Sequence, residues 1–384
     1  MRVGIDCSLV PSERVGVGQY CYNLVESLAK IDAENHYSLY PVFYYIFHPE
    51  YKKICFENLN KTFNISYRWI PEKILKLLWK KDMKLFKKEW LLGNVDVVHS
   101  TTFAVPELSR KKRLVVTIYD VSFLTHPQYH VQANIEHCYK GTLKALQQSD
   151  RIIAISNHTK SDLINYFGAK EEQITVTHLA AANHFFTPPG SIELRTLVEK
   201  YNLPNSFILF VGSLEPRKNV RNLIKAYSLL KKDLRRKHKL VIAGGRGWLN
   251  SDIKDIIEEL KIVEDMIFTG YVSDQDLKGL YSLADIFVYP SFYEGFGLPV
   301  LEAMTCGTPV ITSNVSCLPE IAGNGAVFVN PQDVEEISLA INRLLEDNSL
   351  RGFYKEKGLM RSLDFSWDKC AKETLQIYKS LAKR

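Results

Sequence analysis

Short runs of aliphatic, β-branched and aromatic residues alternate with longer amphipathic stretches from one end of the chain to the other. Such runs predict buried strands, and the stretches between them predict helices, so the pattern favours parallel sheets built from βαβ units. The predicted strands cover residues 3–6, 37–45, 95–99, 114–118 and 151–155 in the first half, and residues 207–211, 239–243, 266–269, 285–289, 309–312 and 326–329 in the second.

The alternation stops between Phe186 and Gly190, where two prolines and a glycine interrupt it, and resumes after a predicted helix over residues 192–201. We therefore predict an α/β protein with two Rossmann-like doubly wound domains facing a cleft, residues 1–190 and 203–365. Open parallel sheets bind ligands beyond the carboxyl ends of their strands, so the loops that follow the strands are expected to carry the functional residues.

Composition narrows the class of protein. The 384 residues are 46% hydrophobic and 24% charged, which excludes a disordered or collagen-like chain. Seven cysteines are scattered without a C-x-x-C pair, so neither a disulfide framework nor a zinc site is indicated. No apolar run approaches the ~18–20 residues that a membrane span needs. These features predict a soluble cytoplasmic protein.

Two segments of the second half combine charge with glycine after predicted strands. Arg217 and Lys218 precede a helix, a combination that suits a diphosphate because fixed positive charge and the helix dipole act together. Glu294 lies in a glycine-flanked turn, and Glu302 lies about two helical turns further on, in the helix that Pro299 opens. The two carboxylates can thus meet different parts of one elongated ligand. Backbone N–H groups that can receive its phosphates belong to the turn and helix start, at Gly295, Phe296, Gly297 and Leu298.

The motif E-P-R-K-N around Arg217, followed by E-G-F-G-L-P-x-x-E-A-M from Glu294 onwards, resembles the signature of retaining glycosyltransferases of the GT4 type with the GT-B fold. The resemblance implies that Arg217 and Lys218 bind the diphosphate of a GDP- or UDP-linked sugar. It also implies that Glu294 orients the donor sugar, that Glu302 holds the ribose and that Gly212 lets a strand end pack closely against the donor. In such folds a helix like the one predicted over 366–384 crosses back to the first domain.

The first half carries a weaker set of candidates. Gly16 and Gly18 follow the first predicted strand, and the resemblance implies a loop that closes over the donor phosphates, although a structural turn remains the alternative. Tyr119 stands where the family usually has histidine. Asp120 beside it is the main candidate to position or deprotonate the acceptor hydroxyl. His126 is a second candidate, with a loop histidine of no catalytic role as the alternative.

Asp274 and Asp276 form D-x-D, which binds divalent cations in a different glycosyltransferase architecture. Ser273 just before them is a favourable N-cap, and carboxylates are favourable in a first helical turn, so we predict a helix start at this point. We accordingly expect no metal and no cofactor besides the substrate itself.

Positive charge is concentrated in residues 51–92, which contain eleven Lys and Arg against four Asp and Glu. Within residues 73–92, an aromatic and aliphatic stripe and a lysine stripe follow helical spacing. Such a helix either packs its apolar stripe on the sheet or makes peripheral contact with an anionic membrane. No recognition motif for nucleic acid accompanies the charge.

The resemblance, together with these features, implies a retaining hexosyltransferase that moves mannose or a related sugar from a nucleoside diphosphate to a glycan or lipid-linked acceptor. Its place would be polysaccharide or glycoconjugate synthesis, in the cytoplasm or at the inner face of the membrane. The alternatives are a sugar-nucleotide epimerase and a non-catalytic GT-B protein that binds glycan or membrane, the latter suggested by Tyr119.

Overall fold

A computed structural model describes residues 1–8, 10, 16–40, 56–65, 94–103, 105, 108, 112–245 and 253–382. The chain forms two compact units, Met1–Leu179 with Trp367–Arg384, and Ala180–Ser366. The first unit thus ends at Leu179 rather than at residue 190, and it includes the C-terminal helix. The basic segment 73–92, for which the sequence predicts a helix, lies outside the described residues.

The first unit is built on a seven-stranded parallel sheet in the order β3-β2-β1-β4-β5-β6-β7. Its strands are β1 (Arg2–Asp6), β2 (His36–Tyr40), β3 (Phe63–Ile65), β4 (Val97–Ser100), β5 (Arg113–Ile118), β6 (Arg151–Ala154) and β7 (Ile174–Val176). Its described helices are α1 (Val17–Ile31), α2 (Ser122–Thr125), α3 (Gln132–Gln148), α4 (Asn157–Phe167) and, at the end of the chain, α14 (Trp367–Ala382).

The second unit carries a six-stranded parallel sheet in the order β10-β9-β8-β11-β12-β13. Its strands are β8 (Phe207–Val211), β9 (Lys239–Ala243), β10 (Met266–Gly270), β11 (Ile286–Tyr289), β12 (Val310–Ser313) and β13 (Ala326–Val329). Its described helices are α5 (Ser191–Tyr201), α6 (Val220–Ser228), α7 (Lys232–Lys237), α8 (Ile253–Glu259), α9 (Asp274–Leu283), α10 (Leu298–Thr305), α11 (Leu318–Ala322), α12 (Val334–Glu346) and α13 (Asn348–Ser362).

The predicted fold class is confirmed, because both sheets are parallel and helices connect their strands. Central strands are buried from end to end, as in β4 and β11, which explains why they appear as continuous apolar runs rather than as alternating patterns. β3 and β7 escaped prediction. Each has three residues at an edge of the sheet, too few for a periodic signal.

Helix starts follow local chemistry. The Ser156 hydroxyl accepts a hydrogen bond from the Thr159 N–H at the start of α4. The Ser273 hydroxyl likewise accepts from the Asp276 N–H at the start of α9. The capping interpretation of the D-x-D segment is therefore confirmed. The Asp276 carboxylate is also engaged by Lys200 at 2.6 Å.

The C-terminal helix α14 docks within the first unit through polar contacts as well as apolar ones. The Tyr378 hydroxyl lies 2.6 Å from Nδ1 of His99, whose Nε2 lies 2.8 Å from the Thr117 hydroxyl. Burial lowers the pKa of His99 to about 3, so the imidazole is neutral in this interior position. At the surface, Lys30 of α1 pairs with Asp368 at 2.7 Å.

In each sheet the chain changes direction between two neighbouring strands, β1 and β4 in the first unit and β8 and β11 in the second. Loops that leave such a pair diverge to opposite faces and open a crevice at the carboxyl edge. Ligand sites are therefore expected beyond these two pairs. Among the described helices, none is both long enough and apolar enough to cross a bilayer.

Candidate functional site

The loops that follow β8 and β11 are joined at the crevice of the second sheet. The loop after β8 makes a 3-10 turn over Pro216–Lys218 and ends at Asn219, which has a left-handed backbone. The Asn219 amide is buried and donates to the carbonyl oxygens of Pro290 and Pro331 at 2.9 and 2.7 Å. The Phe292 N–H donates to the Arg217 carbonyl at 2.9 Å. These bonds hold the two basic residues against the loop that carries Glu294.

Arg217, Lys218 and Glu294 meet in this crevice. Arg217 Nη1 donates to Glu294 Oε2 at 2.8 Å and to the Tyr293 carbonyl at 2.7 Å. Lys218 Nζ donates to Glu294 Oε1 at 2.8 Å. Their side chains are only 15%, 12% and 7% exposed, respectively, so water screens the charges weakly. Burying a carboxylate and two cations carries a large desolvation penalty, which their mutual attraction only partly offsets. Such a cluster is therefore weak evidence for a stabilising role and suggests a functional one.

The electrostatics of this cluster follow from its burial. Burial by itself raises the pKa of Glu294, but Arg217 and Lys218 outweigh it and bring the value to about 2. Burial, and then the neighbouring Arg217, lower the pKa of Lys218. Glu215 adds a second carboxylate to the cluster, with its Oε2 3.6 Å from Arg217 Nη2. An anionic ligand at this crevice would meet Arg217 and Lys218.

Glu302 lies in α10, the helix that follows the Glu294 loop, as predicted. Pro299 occupies the first turn of that helix, as its sequence position predicts. The Tyr281 hydroxyl donates to Glu302 Oε2 at 3.1 Å. Burial raises the pKa of Glu302 to about 7, because this single bond offsets only part of the desolvation. Glu302 thus changes its charge near neutral pH, whereas Glu294 stays ionised.

Glycine is required at two places near the crevice. Gly297, just before α10, has φ +88°, and a Cβ there would lie 2.7 Å from Cδ2 of Leu318. Gly244, after β9, has φ +152°, and a Cβ would lie 2.0 Å from the Gly212 carbonyl oxygen. Gly244 therefore lies in close contact with the backbone of Gly212, a predicted donor contact, and only glycine fits at residue 244. Phe296, also a predicted contact, is buried with its ring edge-on to Phe365. Its neighbours Gly295 and Leu298 lie in the same turn and at the helix start.

The remaining predicted residues belong to the first unit. Gly16 is the N-cap of α1 with φ +50°, and Gly18 is buried inside that helix, which starts at Val17, so only Gly16 lies in the loop predicted for the two glycines. Asp120 follows β5, and its Oδ1 accepts from both the N–H and the hydroxyl of Ser122 at 2.9 and 2.6 Å. His126 Nδ1 lies 2.9 Å from the Thr125 hydroxyl.

Tyr119 points its hydroxyl at the backbone of the first unit. It donates to the Thr101 carbonyl after β4 at 2.8 Å, and its ring packs edge-on against Tyr20 of α1. A histidine in this place could not span the same distance with its shorter side chain. Tyr119 therefore links the ends of β4 and β5 at the crevice of the first sheet.

Sequence reasoning missed several residues that hold the site together, namely Asn219, Tyr281, Tyr289 and Ser316. Tyr281 and Tyr289 are completely buried, and in sequence they cannot be distinguished from core residues. The Ser316 hydroxyl accepts from the Glu294 N–H at 3.1 Å. Asn219 and Ser316 did leave a signal, because Asn219 ends the motif E-P-R-K-N and Ser316 begins a segment, Ser316–Glu320, that also fits the family resemblance. Asparagine directly after a short turn also favours a left-handed backbone.

Comparison with known proteins shows which family the chain belongs to. Residues 196–359 match the family described as "Glycosyl transferases group 1", and residues 15–180 match "Glycosyltransferase Family 4". The chain is 37% identical over 298 residues to O-antigen chain mannosyltransferase B of Escherichia coli, an alignment that covers 77% of each protein.

Two solved structures resemble the whole chain. Sucrose-phosphate synthase from Thermosynechococcus elongatus is 22% identical with a TM-score of 0.74, over 99% of this chain and 98% of that one. Anabaena Alr3699/HepE in complex with UDP and glucose is 17% identical with a TM-score of 0.73, over 99% and 100%. At these identities the likeness establishes a shared fold.

Proposed function

The chain belongs to the GT4-type glycosyltransferases, and we propose that it transfers a mannosyl residue from a nucleoside-diphosphate mannose to a growing bacterial-type polysaccharide, with retention of configuration. The observation that carries the proposal is the convergence of Arg217 and Lys218 on Glu294 at the crevice of the second sheet. Mannose as the sugar is supported by the O-antigen mannosyltransferase relative. A nucleotide-sugar donor is supported by the shared fold with a UDP-bound neighbour.

In this proposal the two cations bind the diphosphate, and Glu294 accepts hydrogen bonds from sugar hydroxyls. As the bond between the anomeric carbon and the diphosphate oxygen breaks, negative charge builds on the diphosphate. Arg217 and Lys218 are already in position to stabilise that charge, so little reorganisation is needed during the reaction. The N-terminus of α10 adds its dipole to the same end of the crevice.

The acceptor hydroxyl attacks the anomeric carbon from the face that the diphosphate leaves, and its oxygen forms the new glycosidic bond. We assign Asp120 the task of orienting this hydroxyl and receiving its proton, with Ser122 holding the carboxylate. Glu302 would bind the ribose through its carboxylate. The positive charge that other glycosyltransferases take from a divalent cation would come here from Arg217 and Lys218, so we propose that activity persists in EDTA.

The test is transfer of labelled sugar from a panel of GDP- and UDP-sugars to a mannan oligosaccharide or lipid-linked acceptor, with the anomeric product analysed by NMR. Lys218→Ala and Glu294→Ala should each reduce kcat/KM by about 100-fold or more. The matched controls Lys225→Ala and Glu258→Ala, on exposed faces of α6 and α8, should leave it unchanged. Nucleotide binding without any transfer would instead favour a non-catalytic binding protein, and an inverted product would refute retention.

We also propose that residues 73–92 bring the enzyme to an anionic membrane that carries its acceptor. The proposal is supported by the lysine stripe of Lys76, Lys80, Lys84 and Lys87 in the sequence. Changing these four lysines together to glutamine should abolish sedimentation with phosphatidylglycerol vesicles while transfer to a water-soluble acceptor continues. Unchanged sedimentation would indicate that the stripe is simply solvated.

A further inference from the structure

A tyrosine hydroxyl lies at the centre of the cation and carboxylate cluster. Tyr289 is the last residue of β11, and none of its surface is exposed. Its ring stacks between Phe210 and Phe287, with centroids 5.9 and 5.7 Å away. Its hydroxyl lies 2.7 Å from Lys218 Nζ and 2.9 Å from Glu294 Oε1. The three polar atoms form a closed triangle, because Lys218 Nζ is itself 2.8 Å from Glu294 Oε1.

The direction of each hydrogen bond in the triangle is determined by chemistry. Ionised Glu294 can only accept, so the single proton of the Tyr289 hydroxyl points to Oε1. Lys218 can only donate, so it gives one N–H to the Tyr289 oxygen and another to Oε1. An ammonium group has three N–H bonds in a tetrahedral arrangement. Two bonds anchored in this way determine where the third one points.

The structure assigns Tyr289 as a positioning residue of the donor site, which aims the third N–H of Lys218 at the donor diphosphate and holds the Glu294 carboxylate toward the donor sugar. This inference rests on the proposed function and deepens it. One buried hydroxyl would thereby couple the group that binds phosphate to the group that binds sugar. Without the hydroxyl, Lys218 keeps a single anchor on Glu294 and can rotate about it.

The substitution Tyr289→Phe tests this role of the hydroxyl, because it keeps the ring stacking on Phe210 and Phe287 and removes only the hydroxyl. Tyr227→Phe is the matched control. Tyr227 is also fully buried in the second unit, and its hydroxyl lies 3.1 Å from the Arg235 carbonyl in a cluster of backbone acceptors away from the crevice. Each variant removes one buried tyrosine hydroxyl from the second unit, Tyr289 from β11 and Tyr227 from α6.

Two measurements are made at a temperature at which all variants are folded. Calorimetry gives the Kd of UDP and of GDP without a sugar, and kinetics gives kcat and KM for the nucleotide-sugar donor. For Tyr289→Phe we expect diphosphate binding weaker by about 3-fold or more and kcat lower by about 10-fold or more, with Tyr227→Phe close to wild type. Because Tyr289 acts through Lys218, its removal should cost no further diphosphate binding in the Lys218→Met background.

A kcat of Tyr289→Phe within about 2-fold of wild type would overturn the inference, as would an equal loss in Tyr227→Phe or an additive loss in the double variant. These outcomes are separable from failure of the proposed function. If the wild-type protein transfers no sugar from any donor, the function is wrong, yet the comparison of UDP and GDP binding still tests the link between Tyr289 and Lys218.

Discussion

Replacing Glu294 by glutamine removes a carboxylate that Arg217 and Lys218 share. Arg217 keeps Glu215 at 3.6 Å, whereas the Lys218 ammonium is left beside a neutral amide. The pKa of the Glu294 carboxyl falls from an ordinary 4.5 to about 2 in the folded chain. At ~1.36 kcal/mol per pKa unit, the ionised form is favoured in the folded state by about 3 kcal/mol. Glu294→Gln should therefore destabilise the second unit by about 3 kcal/mol at pH 7, at the lower end of the ~3–5 kcal/mol seen when one partner of a buried ion pair is lost.

The sign of the pH dependence follows from the lowered pKa. The stabilisation is fully present above pH 4.5, where the carboxyl is ionised in both folded and unfolded chains, and is lost as the pH falls toward 2. Below pH 4.5 the wild type should thus lose stability faster than Glu294→Gln. Because the chain has two units, the assay is hydrogen exchange of β11 and α10 peptides in increasing urea, which reports on the second unit alone.

Glu302→Gln is the matched control at pH 6. The pKa of Glu302 is raised to about 7, so this carboxyl is mostly neutral at pH 6, and the amide should cost about 1 kcal/mol or less. A further readout is ligand binding, since UDP supplies the anion that the glutamine variant lacks and should restore more stability to Glu294→Gln than to wild type. The reasoning is refuted if Glu294→Gln is as stable as wild type at pH 7, or if both variants are equally destabilised.

Three further outcomes are expected. Donor affinity measured by calorimetry should rise as the pH increases from 6 to 8, because the Glu302 carboxylate accepts hydrogen bonds from ribose hydroxyls better than the carboxylic acid does. Glu302→Gln should flatten this profile, and a flat wild-type profile would argue against a ribose contact. Tyr378→Phe should leave a buried nitrogen of His99 without its partner, destabilise the first unit by about 1–3 kcal/mol and speed exchange in α14, whereas unchanged exchange would show that apolar packing alone holds the helix. Gly244→Ala should weaken both folding and UDP binding, since its Cβ would lie 2.0 Å from the Gly212 carbonyl oxygen at the end of β8. The control Gly245→Ala has open space around its Cβ and should weaken neither, so equal effects of the two substitutions would contradict the prediction.

The order of strands and helices could be predicted because each element has its own local signal. Buried parallel strands such as β8 are apolar along their whole length, and Ser273 marks its helix start with a side chain that reaches only three residues ahead. Both signals need no information from distant parts of the chain. β7 shows the limit, because three residues at a sheet edge carry no period and depend on pairing with β6.

The boundary between the two units is a second feature that local sequence signals could not determine. A break in the alternation of apolar and polar residues predicted a boundary at 190, but the residues from Ala180 pack with the second unit. Contacts decide which unit a connecting segment joins, and a sequence pattern does not contain them.

By itself, the sequence determined the α/β class, the family resemblance and the charged residues Arg217, Lys218 and Glu294, because these depend on residue type and on short spacing. Only the tertiary structure decided that the two cations share one carboxylate, that the Tyr289 hydroxyl contacts both Lys218 and Glu294, and that burial raises the pKa of Glu302 to about 7. The physical reason is that ion pairing and desolvation act over a few ångströms in space. Lys218 and Glu294 come within that distance only because β8 and β11 are neighbours in the sheet.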